Sequence, residues 1–126
     1  DYVAVLRPRL SDSEIGEAIV RAFSHHGKQY DFDFDFETAD KLVCTELVYR
    51  SYQGMLNFTP LPEVMGRKTL PAVEIARKFV KERSEEDRDF DFVLFLDGDA
   101  TTGHARRQVE DEFCASAERS QASFNE

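Results

Sequence analysis

Cys44 stands where the apolar pair Leu42-Val43 gives way to a helix-like run, Thr45-Glu46-Leu47-Val48-Tyr49-Arg50-Ser51-Tyr52. A thiol at the start of a helix is a candidate nucleophile. The unpaired N–H groups and the positive end of the helix dipole favour the anionic sulfur, which is the form that attacks a carbonyl. A small buried hydrophobe at a strand–helix junction is the competing reading of such a residue. Cys114 has Glu110, Asp111, Glu112 and Glu118 around it, and carboxylates disfavour a thiolate. The three histidines, His25, His26 and His104, are the candidate bases. The first two fall in the last turn of a helix, where polar or cationic side chains suit the carbonyl end, and the third follows the turn Thr101-Thr102-Gly103.

The elements that must position these groups follow from periodicity and punctuation. Tyr2 to Leu6 is apolar and β-prone and is halted by Pro8, which predicts a short buried strand. Ser11 and Glu14 have capping-box spacing. Ile15, Ala18, Ile19, Ala22 and Phe23 then recur at helical intervals up to Gly27, a natural C-terminal stop. Tyr30 to Phe36 alternates aromatic and acidic residues and reads as a half-buried strand or an extended loop. A helix is expected from Cys44 to about Gly54, and a long irregular loop over Asn57 to Lys68, which holds Pro60, Pro62 and Gly66. Thr69 and Pro71 open a further helix through Val80. Asp91 to Leu96 reads as a buried strand stopped by Asp97-Gly98, and a polar helix is expected from about Ala105 to Ala117. The order predicts an α+β fold with a small, antiparallel sheet packed with helices.

The chain has 126 residues, of which 41% are hydrophobic, and eleven Phe can supply one core. The expected organisation is a single domain over residues 1–119, lacking an N-terminal portion, followed by a frayed tail at 120–126. A net charge of -9 opposes phosphate backbones and anionic lipid surfaces, so nucleic acid is not an expected partner. No stretch approaches the roughly 20 apolar residues of a membrane span. Two cysteines are too few for a disulfide framework, which favours a reducing compartment such as the cytoplasm and leaves a targeting segment upstream of Asp1 open. No cofactor and no metal is expected. The carboxylates of Asp31, Asp33, Asp35 and Glu37 lie nearly 7 Å apart along an extended chain, too far to surround a calcium ion. The segment that begins Asp97-Gly98-Asp99 lacks glycine at the sixth position of a calcium loop and has Gln108 where that loop needs its bidentate glutamate.

Taken together, Gly27-Lys28-Gln29-Tyr30-Asp31-Phe32 followed by Cys44-Thr45-Glu46-Leu47-Val48 and Tyr52 resembles the NlpC-related papain-like cysteine hydrolases. It is most similar to their circularly permuted branch, the YiiX-type amidases. The likeness spans Ser11 to Arg77 and implies a papain-like fold. It makes Cys44 the nucleophile, places Tyr30 beside it near the developing oxyanion, and puts Glu46 near the site in support. It also implies a general-base histidine ahead of the cysteine, on a strand preceding the helix that begins at Ser11. Asp1 to Leu10 contains no histidine. The expectation is therefore a base upstream of Asp1; the alternatives are that it has been lost or that His25, His26 or His104 stands in. The implied reaction is hydrolysis of an amide or acyl ester through a thioacyl-enzyme, on a cell-wall peptide or a lipid-like acyl substrate. The alternative is an inactive papain-like module that docks a partner through its aromatic stretch or its Pro-rich loop.

Overall fold

Ser11 shows how the local code works in this chain. Its Oγ accepts the Glu14 backbone N–H while the Glu14 carboxylate accepts the Ser11 N–H at 2.8 Å, a complete capping box. In the computed structural model, which describes residues 2–38 and 40–119, that box opens helix α1. The elements in chain order are β1 (Tyr2–Pro8), α1 (Asp12–Ser24), β2 (Gln29–Tyr30), β3 (Lys41–Leu42), α2 (Cys44–Ser51), β4 (Glu63–Val64), β5 (Arg67–Lys68), α3 (Ala72–Glu82), β6 (Phe90–Asp99), β7 (His104–Gln108) and α4 (Glu110–Ser116). Among the described residues this is an α+β fold with four helices and a small antiparallel sheet. The chain divides into two compact units, Leu10–Ile75 and the pair of segments Asp1–Arg9 and Ala76–Glu126. The tail expected at 120–126 lies outside the described residues.

The unit formed by the two segments carries the sheet, in the order β1-β6-β7 with both pairings antiparallel. Its centre is Phe95, fully buried, with the Phe113 ring of α4 at 5.6 Å and Tyr2 edge-on at 6.0 Å. Burying one such ring contributes on the order of 2–3 kcal/mol. Here the structure departs from the sequence reading. Asp97-Gly98 does not stop β6, which runs on to Asp99, and residues 104–108 form a strand rather than the start of a helix. Ala105, Arg106, Arg107 and Gln108 have fair helix propensity but no apolar period. Pairing with Gly98, Asp97, Leu96 and Phe95 of β6 therefore decides their conformation. The helix begins only at Glu110, with Glu110, Asp111 and Glu112 on its positive end.

The unit of residues 10–75 holds Cys44 together with His25, His26, Tyr30 and Glu46. α1 and α2 pack on each other, and Arg21 ties them by donating to the Gln53 carbonyl at 2.6 Å. Ala18, Phe36, Val43, Leu56, Phe58 and Leu70 are its buried apolar residues. The aromatic–acidic alternation is a loop and not a strand. The Asp31 carboxylate accepts the N–H groups of Asp33 and Asp35 at 2.9 and 2.8 Å, which bends the chain locally as short polar side chains do. The 57–68 segment closes with a hairpin, β4 to β5, through Met65 (φ 53°) and Gly66 (φ 78°). Two successive positive φ values define the tight turn that matches strand twist.

Candidate active site at the start of helix α2

Val43 is buried and extended, and it ends the chain's approach to α2 without a side-chain cap. The first amides of the helix are therefore left to whatever occupies the space in front of it. Cys44 is the first helical residue, and it is exposed. Tyr30 reaches the same place through a short parallel ladder in which Gln29 pairs with Lys41 and Tyr30 with Leu42. That register sets the phenol two residues from the sulfur-bearing position. The Tyr30 ring packs on Phe32 at 5.0 Å and Phe34 at 6.3 Å.

Two cavities meet at Tyr30, Val43 and Cys44. The larger, about 620 Å³, is walled by Phe34, Val64, Met65 and Leu70 among others. The smaller, about 480 Å³, runs along the end of α1 and includes Phe23, His25, His26, Lys28 and Leu47. From the 57–68 segment, Val64, Met65 and Arg67 wall the larger cavity, and Phe58 is part of the core.

Glu46 is placed differently from Cys44 and Tyr30. It lines neither cavity and is fully buried, as two residues of helix, some 200°, would turn it. Its Oε1 accepts Arg50 Nε at 2.7 Å, and Arg50 Nη2 donates to the Phe36 and Thr38 carbonyls at 2.9 and 3.1 Å. Among the described residues, Glu46 Oε2 has no hydrogen-bond partner. The pair thus anchors the loop that follows Tyr30, and Arg50 is a residue that sequence reasoning quoted but gave no role. Its i,i+4 spacing from Glu46 was the available signal.

The histidines also separate. His25 and His26 form the end of α1, and both line the smaller cavity with Cys44. His25 Nδ1 lies 3.0 Å from Lys28 Nζ. Burial, then Lys28 and Arg50, hold its imidazole below the usual 6.5. His104 opens β7, exposed, opposite Asp99 in the other unit. Cys114 belongs to that unit too, half-buried, with Arg83 Nη1 3.1 Å from its sulfur. Burial pushes its thiol up; Arg83 pulls it down, while Glu110 and Asp111 add to the rise. Among the described residues, no three His, Cys, Asp or Glu side chains gather as metal ligands would, and no helix is long and apolar enough to cross a membrane.

A family model described as permuted papain-like amidase enzyme, YaeF/YiiX, C92 family, matches residues 1–97. The chain belongs to that family. Neither the comparison with curated proteins nor that with solved structures gives a match. Membership makes this a papain-like amidase chain, of the cysteine hydrolase type. The matched residues include Tyr30, Cys44 and Glu46.

Proposed function

We propose that this member of the permuted papain-like amidases hydrolyses an amide, or an acyl ester, with Cys44 as nucleophile. The observation that carries the reading is the exposed first residue of an uncapped helix, shared by two cavities and accompanied by a phenol. The thiolate adds to the substrate carbonyl, forming a C–S bond and an oxyanion. That charge is met by the free amides at the start of α2 and by the Tyr30 hydroxyl. Collapse breaks the C–N bond, the base expected ahead of the cysteine, for which His25 or His26 of the smaller cavity can stand in, returns the thiol proton to the leaving amine, and water then cleaves the thioester to release the acid. Glu46 acts from behind, through Arg50 and the loop carbonyls, as a positioning residue. Residues 1–119 act as one papain-like hydrolase domain in this reading. The substrate has an apolar arm, because the larger cavity is walled mainly by hydrocarbon; a lipid-like acyl group or an apolar peptide fits it.

Replacing Cys44 tests the mechanism most directly. Cys44→Ser should lower hydrolysis of an N-acyl amide by at least about three orders of magnitude, and Cys114→Ser should leave it within about twofold. Turnover retained by the first variant would eliminate the nucleophile.

A further inference from the structure

Among the described residues, two that are not glycine have a positive φ: Phe34 and Met65, both at 53°. Both wall the larger cavity, which Cys44 also lines. The left-handed region suits glycine, asparagine and aspartate and strains a bulky side chain. The first position of a turn such as that between β4 and β5 favours asparagine, aspartate or glycine, and here it holds Met65. Neither side chain belongs to the core, since Phe34 is 49% and Met65 97% exposed. Strain and exposed hydrocarbon thus coincide twice at one cavity, and such departures from the local rules gather where a protein binds something.

The two turns are braced to each other. Arg67, two residues past Met65, donates to the carbonyl of Asp33, the residue before Phe34. The Phe34 ring stands edge-on to Tyr30 at 6.3 Å. Backbone groups around the cavity are turned onto the protein itself: the Asp33 N–H donates to the Asp31 carboxylate at 2.9 Å and the Thr69 N–H to the Pro62 carbonyl at 3.0 Å. A peptide arm brings N–H and C=O groups that need partners, and these partners are already taken. A hydrocarbon chain needs none.

We propose that Phe34 and Met65 are the specificity-determining residues of the larger cavity and grip an unbranched acyl chain whose carbonyl is presented to Cys44. The flexible thioether of Met65 adapts to the chain, and the Phe34 ring, set against Tyr30, supplies a fixed wall. Covering the two side chains removes from water the hydrocarbon that the free protein leaves exposed. Ten carbons, each of about the 30 Å³ that a water molecule occupies in the liquid, fill about half of the 620 Å³. This deepens the proposed hydrolysis and rests on Cys44 being its nucleophile.

The test compares N-alkanoylglycinamides of four, six, eight and ten acyl carbons with N-acetyl-Leu-Val-glycinamide, which offers a peptide arm instead. For the unaltered protein, kcat/KM should rise about fivefold or more with each two carbons added, as burial of methylenes supplies, and the decanoyl compound should exceed the peptide by about tenfold. Phe34→Asn and Met65→Asn introduce a residue that tolerates a positive φ and remove the hydrocarbon. Each should lower the ratio of decanoyl to butanoyl turnover by about fivefold or more, whereas Met65→Leu should keep most of it. A flat response to chain length, a peptide cleaved as fast as the decanoyl compound, or an unchanged ratio in either Asn variant overturns the grip and leaves the nucleophile standing. If the unaltered protein hydrolyses none of the compounds, a Cys44→Ala protein titrated by calorimetry with the decanoyl and butanoyl compounds decides. Tighter binding of the longer chain, lost on adding Met65→Asn, supports the grip; equal binding of the two, or none, overturns it.

Discussion

Cys44 and Cys114 each belong to a short helix, and the two helices treat the sulfur in opposite ways. Cys114 comes late in α4, half-buried, behind a first turn of three acids and under the Arg83 guanidinium, which also binds Asp111 at 2.7 Å. Its environment raises the thiol's proton affinity. Cys44 comes first in α2, exposed, with an apolar residue where a capping side chain would be. Position along a helix and the absence of a competing cap, more than residue type, separate a candidate nucleophile from a packing residue.

Labelling rates give the sharpest break of that contrast. With iodoacetamide at neutral pH, followed by mass spectrometry, Cys44 should react at least about a hundredfold faster than Cys114, since Cys44 is exposed and the surroundings of Cys114 raise that thiol's proton affinity. Equal, slow labelling would remove the distinction and favour a docking module over an enzyme.

The second prediction concerns what holds the site in place. Arg50→Ala strips the buried Glu46 carboxylate of its partner and frees the Phe36 and Thr38 carbonyls. It should lower the unfolding free energy in urea by about 3 kcal/mol. Replacing Glu46 and Arg50 together by Met should cost clearly less, because no uncompensated charge stays behind. Equal losses in the two proteins would show that the loop, and not the ion pair, carries the effect.

The smallest effect belongs to the acidic loop. The N–H groups of Asp35 and Asp33 hold the Asp31 carboxyl below its usual 3.8. A carboxyl depressed in the folded state contributes stability that is present above the unfolded value and is lost as pH falls through the folded one. Asp31→Asn should therefore melt below the unaltered protein at pH 7, and the gap in Tm should close as pH drops below about 4. A gap that is constant with pH would remove the carboxylate's part in the turn.

How much of this was legible varies with the range of the interactions. The capping box of α1 involves residues three apart and was readable outright, as was the Cys44 helix start. The 104–108 segment was misread because its conformation is set by β6, a partner the local pattern does not name. The alternation of Tyr30 to Phe36 suited a strand as well as a loop, and the two bonds to Asp31 decide it. At the site, Tyr30 and Cys44 stood out by motif, whereas the ladder that joins their segments is two residues long and leaves no periodic trace. His25 and His26 were legible as helix-end residues, but nothing in their spacing revealed a cavity shared with the thiol.

That two-residue ladder between β2 and β3 has a consequence for how this sequence can vary. Between its rungs, residues can be added after Thr38, beyond the bonds that Asp31 and Arg50 make to the loop, while the tyrosine and the sulfur keep their mutual placement, because the ladder fixes the register. One residue inserted between Leu42 and Cys44 is another matter. Alternation along an extended chain would turn the thiol to the reverse side, so the tolerance of this region to insertions is expected to switch from high to nil within a few positions.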